Sequence, residues 1–134
     1  MIKIQKQDFN IEKEINFIKS KYKNVGAVSS FIGYVRNVNN NKKVTSIDLE
    51  VYKVMAIKSL KKICNEAKKK WGIKESLIIH RYGKLNINEK IVLVATFSMH
   101  RKDSVQSCEY IMDYLKKNAP FWKKEYYNKK SNWL

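Results

Sequence analysis

Ile11, Ile15, Ile18 and Tyr22 recur every three to four residues, a spacing that lays one apolar stripe along a helix. Asn10 stands just ahead of them, where a side-chain oxygen can cap the first turn. Before it, Met1 to Lys6 alternates apolar and polar positions as a short strand does. Val25 to Arg36 (VGAVSSFIGYVR) gathers small, β-branched and aromatic residues without helical spacing. That composition predicts a buried strand in which Gly26 and Gly33 mark bulges or close approaches of backbone. Asn37 to Lys43 (NVNNNKK) shows no hydrophobic pattern beyond Val38, and its asparagines favour turns, so it reads as a mobile loop, a linker or a lid.

Thr45 to Tyr52 alternates strictly, with Thr45, Ile47, Leu49 and Val51 on one face of a half-exposed strand. Ile57, Leu60, Ile63, Cys64, Ala67 and Trp71 follow the helical period, and Gly72 sits where a helix C-cap belongs. Leu77 to Tyr82 and Lys90 to Phe97 are strand-like and separated by the turn-rich GKLNINE, as in a hairpin. Asp103 to Asn118 predicts a third helix: Asp103 is its cap, Gln106 its capping-box partner, and Val105, Cys108, Ile111, Met112 and Leu115 its inner stripe. Pro120 stops it, and the aromatic, basic tail from Phe121 adds an edge strand or packs on a neighbouring subunit. The order βαββαββα plus tail predicts an α+β fold, helices packed against a mainly antiparallel sheet, as one domain over residues 1–134.

Composition narrows the chemistry. No apolar run approaches the roughly 20 residues of a membrane span, and the first residues lack a secretory pattern, so the expected location is the cytoplasm. Cys64 and Cys108 are far apart and each falls among apolar residues, as buried structural thiols do. With two histidines and no clustered ligands, no metal site and no cofactor are expected. A net charge of +16 implies an anionic partner without saying which. Only Arg36, Arg81 and Arg101 among the 28 basic residues are arginine, so each marks a place where a planar, bidentate fork is wanted.

Three segments put unusual residues at element ends: FIGYVRN (31–37), SMHR (98–101) and YLKKNAPFWKK (114–124). Arg36, His100, Arg101, Lys116 and Lys123 there are the candidates to converge on one anion. His100 and Arg101 also precede a helix, whose N-terminal N–H groups and dipole favour negative charge. His80-Arg81 repeats the dipeptide inside a strand and reads as its structural counterpart. A lysine acts as base or nucleophile only when neutral, a state that nearby cations favour, and Lys116 is the candidate. Phe121 and Trp122 offer an aromatic wall to a flat heterocycle or to the core.

Together and in this order, VGAVSSFIGYVRN (25–37), LEVY (49–52), IIHRYGKL (78–85), SMHR (98–101) and IMDYLKKNAPFWKKE (111–125) resemble the large-subunit family of molybdopterin synthase. The resemblance implies an α/β hammerhead-like fold and a homodimer within a heterotetramer. Each protomer would bind a small ubiquitin-like sulfur-carrier subunit whose C-terminal Gly-Gly carries a thiocarboxylate. The implied substrate is cyclic pyranopterin monophosphate, which receives two sulfurs in molybdenum cofactor biosynthesis. By position, Arg36, His100 and Arg101 match the family's anion-binding residues, and Lys116 and Lys123 its two active-site lysines. Members usually continue past the tryptophan that Trp133 matches and supply an arginine to the neighbouring pocket; here either Lys129 or Lys130 stands in, or the anion site is one cation poorer. The alternatives are a basic nucleic-acid-binding module, which the resemblance argues against, and a structural subunit without activity.

Overall fold

A computed structural model describes residues 1–39, 41–118 and 120–127. Its elements, in chain order, are β1 (Ile2–Gln5), α1 (Ile11–Lys21), β2 (Ala27–Tyr34), β3 (Val38–Asn39), β4 (Lys42–Val51), α2 (Lys53–Trp71), β5 (Glu75–Arg81), β6 (Gly83–Asn86), β7 (Lys90–Ser98), α3 (Arg101–Asn118) and β8 (Phe121–Tyr127). They form two sheets. The first has the order β1-β5-β7-β2, parallel between β1 and β5 and antiparallel elsewhere. The second is antiparallel, with β6 and β8 both paired to β4 and β3 folded back on the start of β4.

Alternation along β5 and β7 builds the core on both faces of the first sheet. Ile78 and Val94 turn toward α2 and α3, where they meet Leu60, Ile63, Ala67, Cys108 and Ile111. Leu77, Ile79, Leu93, Ala95 and Phe97 turn the other way, onto Phe9 and onto Ile18 of α1. Side chains of this size each contribute about 1.5–3 kcal/mol when fully buried, which is why the two central strands read as near-continuous apolar runs. A smaller core of Val35, Val44, Ile47, Leu49 and Leu85 holds the second sheet. The caps follow the sequence: Asn10 Oδ1 accepts from the Lys13 N–H at 2.9 Å, and Gly72 takes the left-handed conformation (φ 62°) that closes α2.

Several expectations need correction. The strand expected over Val25 to Arg36 is not buried: among the described residues β2 is an edge strand, paired only to β7, with Phe31 and Tyr34 exposed. Its glycines do mark close approaches. A Cβ at Gly26 would overlap the Met99 carbonyl, and at Gly33, beside a bulge, it would lie 3.0 Å from Val92 Cγ1. The loop expected over Asn37 to Lys43 is largely the β3–β4 hairpin. GKLNINE is more than a turn: β5 and β7 do pair, but the segment between them leaves the sheet as β6 and joins β4. A bulge between Val44 and Ser46 turns Thr45 outward, so Val44 takes the inner position in its place.

In the helices, α2 begins four residues before Ile57, and Ile57 lies on its exposed side. The third helix starts at Arg101, so Asp103 sits in its first turn rather than capping it. Gln106 accepts a hydrogen bond from Trp71 Nε1 at 3.0 Å instead of closing a capping box. Val105 faces solvent, and the inner stripe includes Ser104 and Ser107. Serine is tolerated there because its polar atoms are met: Ser29 Oγ and Ser104 Oγ share a hydrogen bond, and Thr96 Oγ1 donates to the Ser104 carbonyl at 2.6 Å. No helix among the described residues is long and apolar enough to cross a membrane.

Candidate active site

Between the C-terminal part of α3 and the first sheet lies a cavity of about 480 Å³. Phe31, Val92, Met112 and Leu115 give it apolar walls, and Lys116 and Asp113 stand on the helix side. His80, from β5, completes the lining. Phe121 of β8 stacks on the His80 ring, centroids 3.7 Å apart and planes 17° from parallel. The expected aromatic wall is thus divided as strand geometry requires: Phe121 packs inward and its neighbour Trp122 faces out.

A second, smaller cleft has a volume of about 40 Å³. Arg36, just beyond the end of β2, and Lys123, on β8, line it together with Tyr34, Ile91 and Glu125. Arg36 is placed by its neighbour: Val35 is buried and locked through both backbone groups, donating to the Glu89 carbonyl and accepting from the Asn88 N–H. Lys123 is placed by the β4–β8 register, opposite Leu49. The two spaces share their framework. Ile91 and Val92 are successive residues of β7, and Lys123 is two residues, or about 7 Å, beyond Phe121 along β8.

His100 and Arg101 lie elsewhere. Both are exposed at the start of α3, where Ser98 Oγ donates to the His100 carbonyl and so does the Ser104 N–H. Fifteen residues of helix separate Arg101 from Lys116, about 22 Å along the axis. One chain therefore brings Arg36 and Lys123 to one cleft, Lys116 to the cavity that His80 and Phe31 also line, and His100 and Arg101 to the far end of the same helix as Lys116. Among the described residues, none of these five side chains enters an ion pair or a hydrogen bond, so their charge is open to a ligand. Lys129, Lys130 and Trp133 lie outside the described residues.

Arg81 is the opposite case. It is buried, donates to the Lys6 and Lys90 carbonyls at 3.0 Å each, and pairs with Glu89 at 3.3 Å, the structural role expected for it. His80 does not share that role alone: it also lines the cavity of Lys116, which sequence reasoning passed over. The signal was present in strand alternation, since His80 falls on the same face as Ile78, toward α3. Burial holds the His80 imidazole well below its ordinary value, at about 4, against the opposing hydrogen bond to the Arg81 carbonyl. Burial likewise raises both thiols, Cys108 to about 11, and Cys64 is half-buried rather than buried. No group of three or more potential metal ligands occurs among the described residues. Another depression, of about 670 Å³, is an open, lysine-lined groove between α2 and Tyr114 of α3 with no buried residue in its walls, and lacks the enclosure that strengthens charge interactions.

Comparison with known proteins identifies the family. The model of the MoaE protein family matches residues 4–118. A molybdopterin synthase catalytic subunit from Ralstonia nicotianae is 43% identical over 133 residues, 99% of this chain and 76% of that protein. The structure of a molybdopterin biosynthesis MoaE protein from Burkholderia ambifaria superposes with a TM-score of 0.86 at 42% identity, covering 93% of this chain and 82% of that one. Molybdopterin synthase from Staphylococcus aureus superposes with a TM-score of 0.87 at 34% identity, over 95% and 91% of the two chains. By the family match across most of its length, and by relatives that share its residues and its fold, the chain belongs to the MoaE family, that of the molybdopterin synthase catalytic subunits.

Proposed function

We propose that this catalytic subunit transfers sulfur at the two spaces that hold Lys116, Arg36 and Lys123. The donor is the C-terminal thiocarboxylate of a small ubiquitin-like subunit, and the acceptor is cyclic pyranopterin monophosphate. The observation that carries the reading is the pairing of an apolar cavity, ending at Lys116, with a cleft flanked by Arg36 and Lys123. An extended Gly-Gly tail, lacking side chains, suits the first space. The phosphate of the substrate suits the second, where an arginine fork and a lysine can hold two oxygens and stabilise the charge that develops as the cyclic phosphate opens.

The thiocarboxylate sulfur attacks a side-chain carbon of the pterin, forming a carbon–sulfur bond as a carbon–oxygen bond breaks, its oxygen leaving with the opened phosphate for one sulfur and as water for the other. Water then cleaves each resulting thioester, leaving a thiol on the pterin and the carrier as a carboxylate. Two carriers act in turn, so a singly sulfurated intermediate lies on the path. Lys116, at the mouth of the tail's cavity, moves the proton or forms a covalent adduct. His100 and Arg101 reach this site from a second copy of the chain, since their own Lys116 is about 22 Å away along α3. A homodimer is then needed for a complete anion site, and with two small subunits it forms a heterotetramer of the cytoplasm.

Reconstitution with thiocarboxylated small subunit and cyclic pyranopterin monophosphate, followed by mass spectrometry, tests the reading. Lys116→Ala is expected to reduce dithiolene formation by at least about 10²-fold, the scale for loss of a proton-transfer group, while the small subunit still binds. Unaltered product formation by that variant would reject the assignment.

A further inference from the structure

His80 is nine-tenths buried, yet one of its two ring nitrogens is unused. Nδ1 lies 2.8 Å from the Arg81 carbonyl oxygen, which can only accept, so the ring proton sits on Nδ1 and Nε2 carries a lone pair. Among the described residues no donor meets Nε2, and no buried side-chain nitrogen or oxygen is left without a partner. Nε2 is therefore not sealed in the core. It opens on the cavity that the ring lines, the one that ends at Lys116. Phe121, stacked on the ring, and the Arg81 carbonyl fix its aim from two directions.

A ligand in this space needs such an atom. Its other walls are apolar apart from Lys116 and Asp113, and Asp113 is exposed at the rim, in contact with water. A peptide entering the cavity carries N–H donors that lose their water, and a donor buried without an acceptor is destabilised by about 1–3 kcal/mol. An ionised histidine could not serve, because it would present a second donor to the first.

We infer that His80 is a positioning residue: its Nε2 accepts a hydrogen bond from a backbone N–H of the partner's C-terminal tail and so holds the terminus beside Lys116. This rests on the reading above that the tail enters this cavity. Burial keeps the ring neutral at physiological pH, as the role requires. The charged terminus is left to the cations, and the uncharged acceptor recognises the peptide.

Calorimetric titration tests this, using the small ubiquitin-like subunit in its carboxylate form, either complete or lacking its last two residues. His80→Phe keeps the stack on Phe121 and removes Nε2. It is expected to weaken binding of the complete subunit roughly tenfold, the range of one lost hydrogen bond, and to leave binding of the shortened subunit unchanged. His80→Gln, whose amide oxygen reaches the level of Nε2, is expected to recover most of the loss. Equal weakening of both forms would make His80 merely structural, and no weakening of either would remove its role; both results overturn the inference alone. If shortening the tail left wild-type binding unaltered, the tail would not enter the cavity, and the wider reading would fall as well. A second measurement needs no variant. The 15N resonance of His80 Nε2 in the wild-type protein should move upfield, as for a lone pair that gains a donor, on adding the complete subunit and not the shortened one; an unmoved resonance overturns the inference.

Discussion

The chain contains the dipeptide His-Arg twice, and the two copies have opposite fates. His80-Arg81 closes β5 inside the molecule, where Arg81 directs its donors at two backbone carbonyls and a carboxylate of the same chain. His100-Arg101 opens α3 on the surface, where neither side chain has a partner among the described residues. The same dipeptide thus holds a braced guanidinium in one place and, among the described residues, an unpaired one in the other. What separates them is the supply of internal acceptors. A guanidinium enclosed by carbonyls is neutralised by its own fold, and one at a helix start is left for something else to neutralise.

The sharpest way to break the comparison is to remove each arginine and measure stability. Arg81→Ala is expected to lower the free energy of unfolding by about 3 kcal/mol, because buried carbonyls lose their donors and Glu89 its cation. Arg101→Ala should stay within about 0.5 kcal/mol of wild type, as exposed substitutions do. Urea unfolding of both decides it, and equal losses would erase the distinction.

The buried histidine offers a pH test. The imidazole of His80 titrates at about 4 in the fold against an ordinary 6.5, so between these values the unfolded chain binds the extra proton. The stability tied to keeping it neutral is complete above pH 6.5 and lost as pH falls toward 4, about 3 kcal/mol in all by the relation of pKa shift to free energy. His80→Phe should flatten the unfolding profile over that interval, and an unchanged slope would detach it from this imidazole.

Turnover inverts the ranking. Arg101→Ala is expected to lower kcat/KM by about 10²-fold, the scale for loss of one donor to a developing anion. Mixing it with Lys116→Ala subunits should restore part of the activity, since a mixed dimer holds one site with both residues intact. No recovery after subunit exchange would place Arg101 outside the site. The smallest effect concerns the unpaired lysines at large. With a net charge of +16, association with the small subunit is expected to slow about tenfold between 0.05 and 0.5 M salt, measured by stopped flow.

How much of this was legible in the sequence depends on the kind of signal. The stripes of α1 and α2 and the alternation of β5 and β7 were readable, because they are local and apolar. Val105 misled because the inner face of α3 is partly serine, held by hydrogen bonds from β2 and β7 that no periodicity records. β3 and β6 were read as loop and turn because strands of two and four residues carry too few positions to show a pattern, and partners distant in the chain decide them. At the site, the scarcity of arginine singled out Arg36 and Arg101, but only the register of β8 brings Lys123 to Arg36. The parting of Arg101 from Lys116 follows from helix length alone and is already contained in the helix expected over Asp103 to Asn118.

β8 joins the body of the molecule along one edge, through β4, yet it carries Lys123 on the cleft and Phe121 on His80. Its opening requires only a fraction of the free energy of global unfolding, since the strands and helices of the first sheet keep their own packing. Such a fluctuation would withdraw a cation from the cleft and uncover the imidazole in a single event. Amide protons of β8 should then exchange with solvent faster than those of β5 and β7, and bound substrate, by bridging Lys123 to Arg36, should slow them more than any others in the chain.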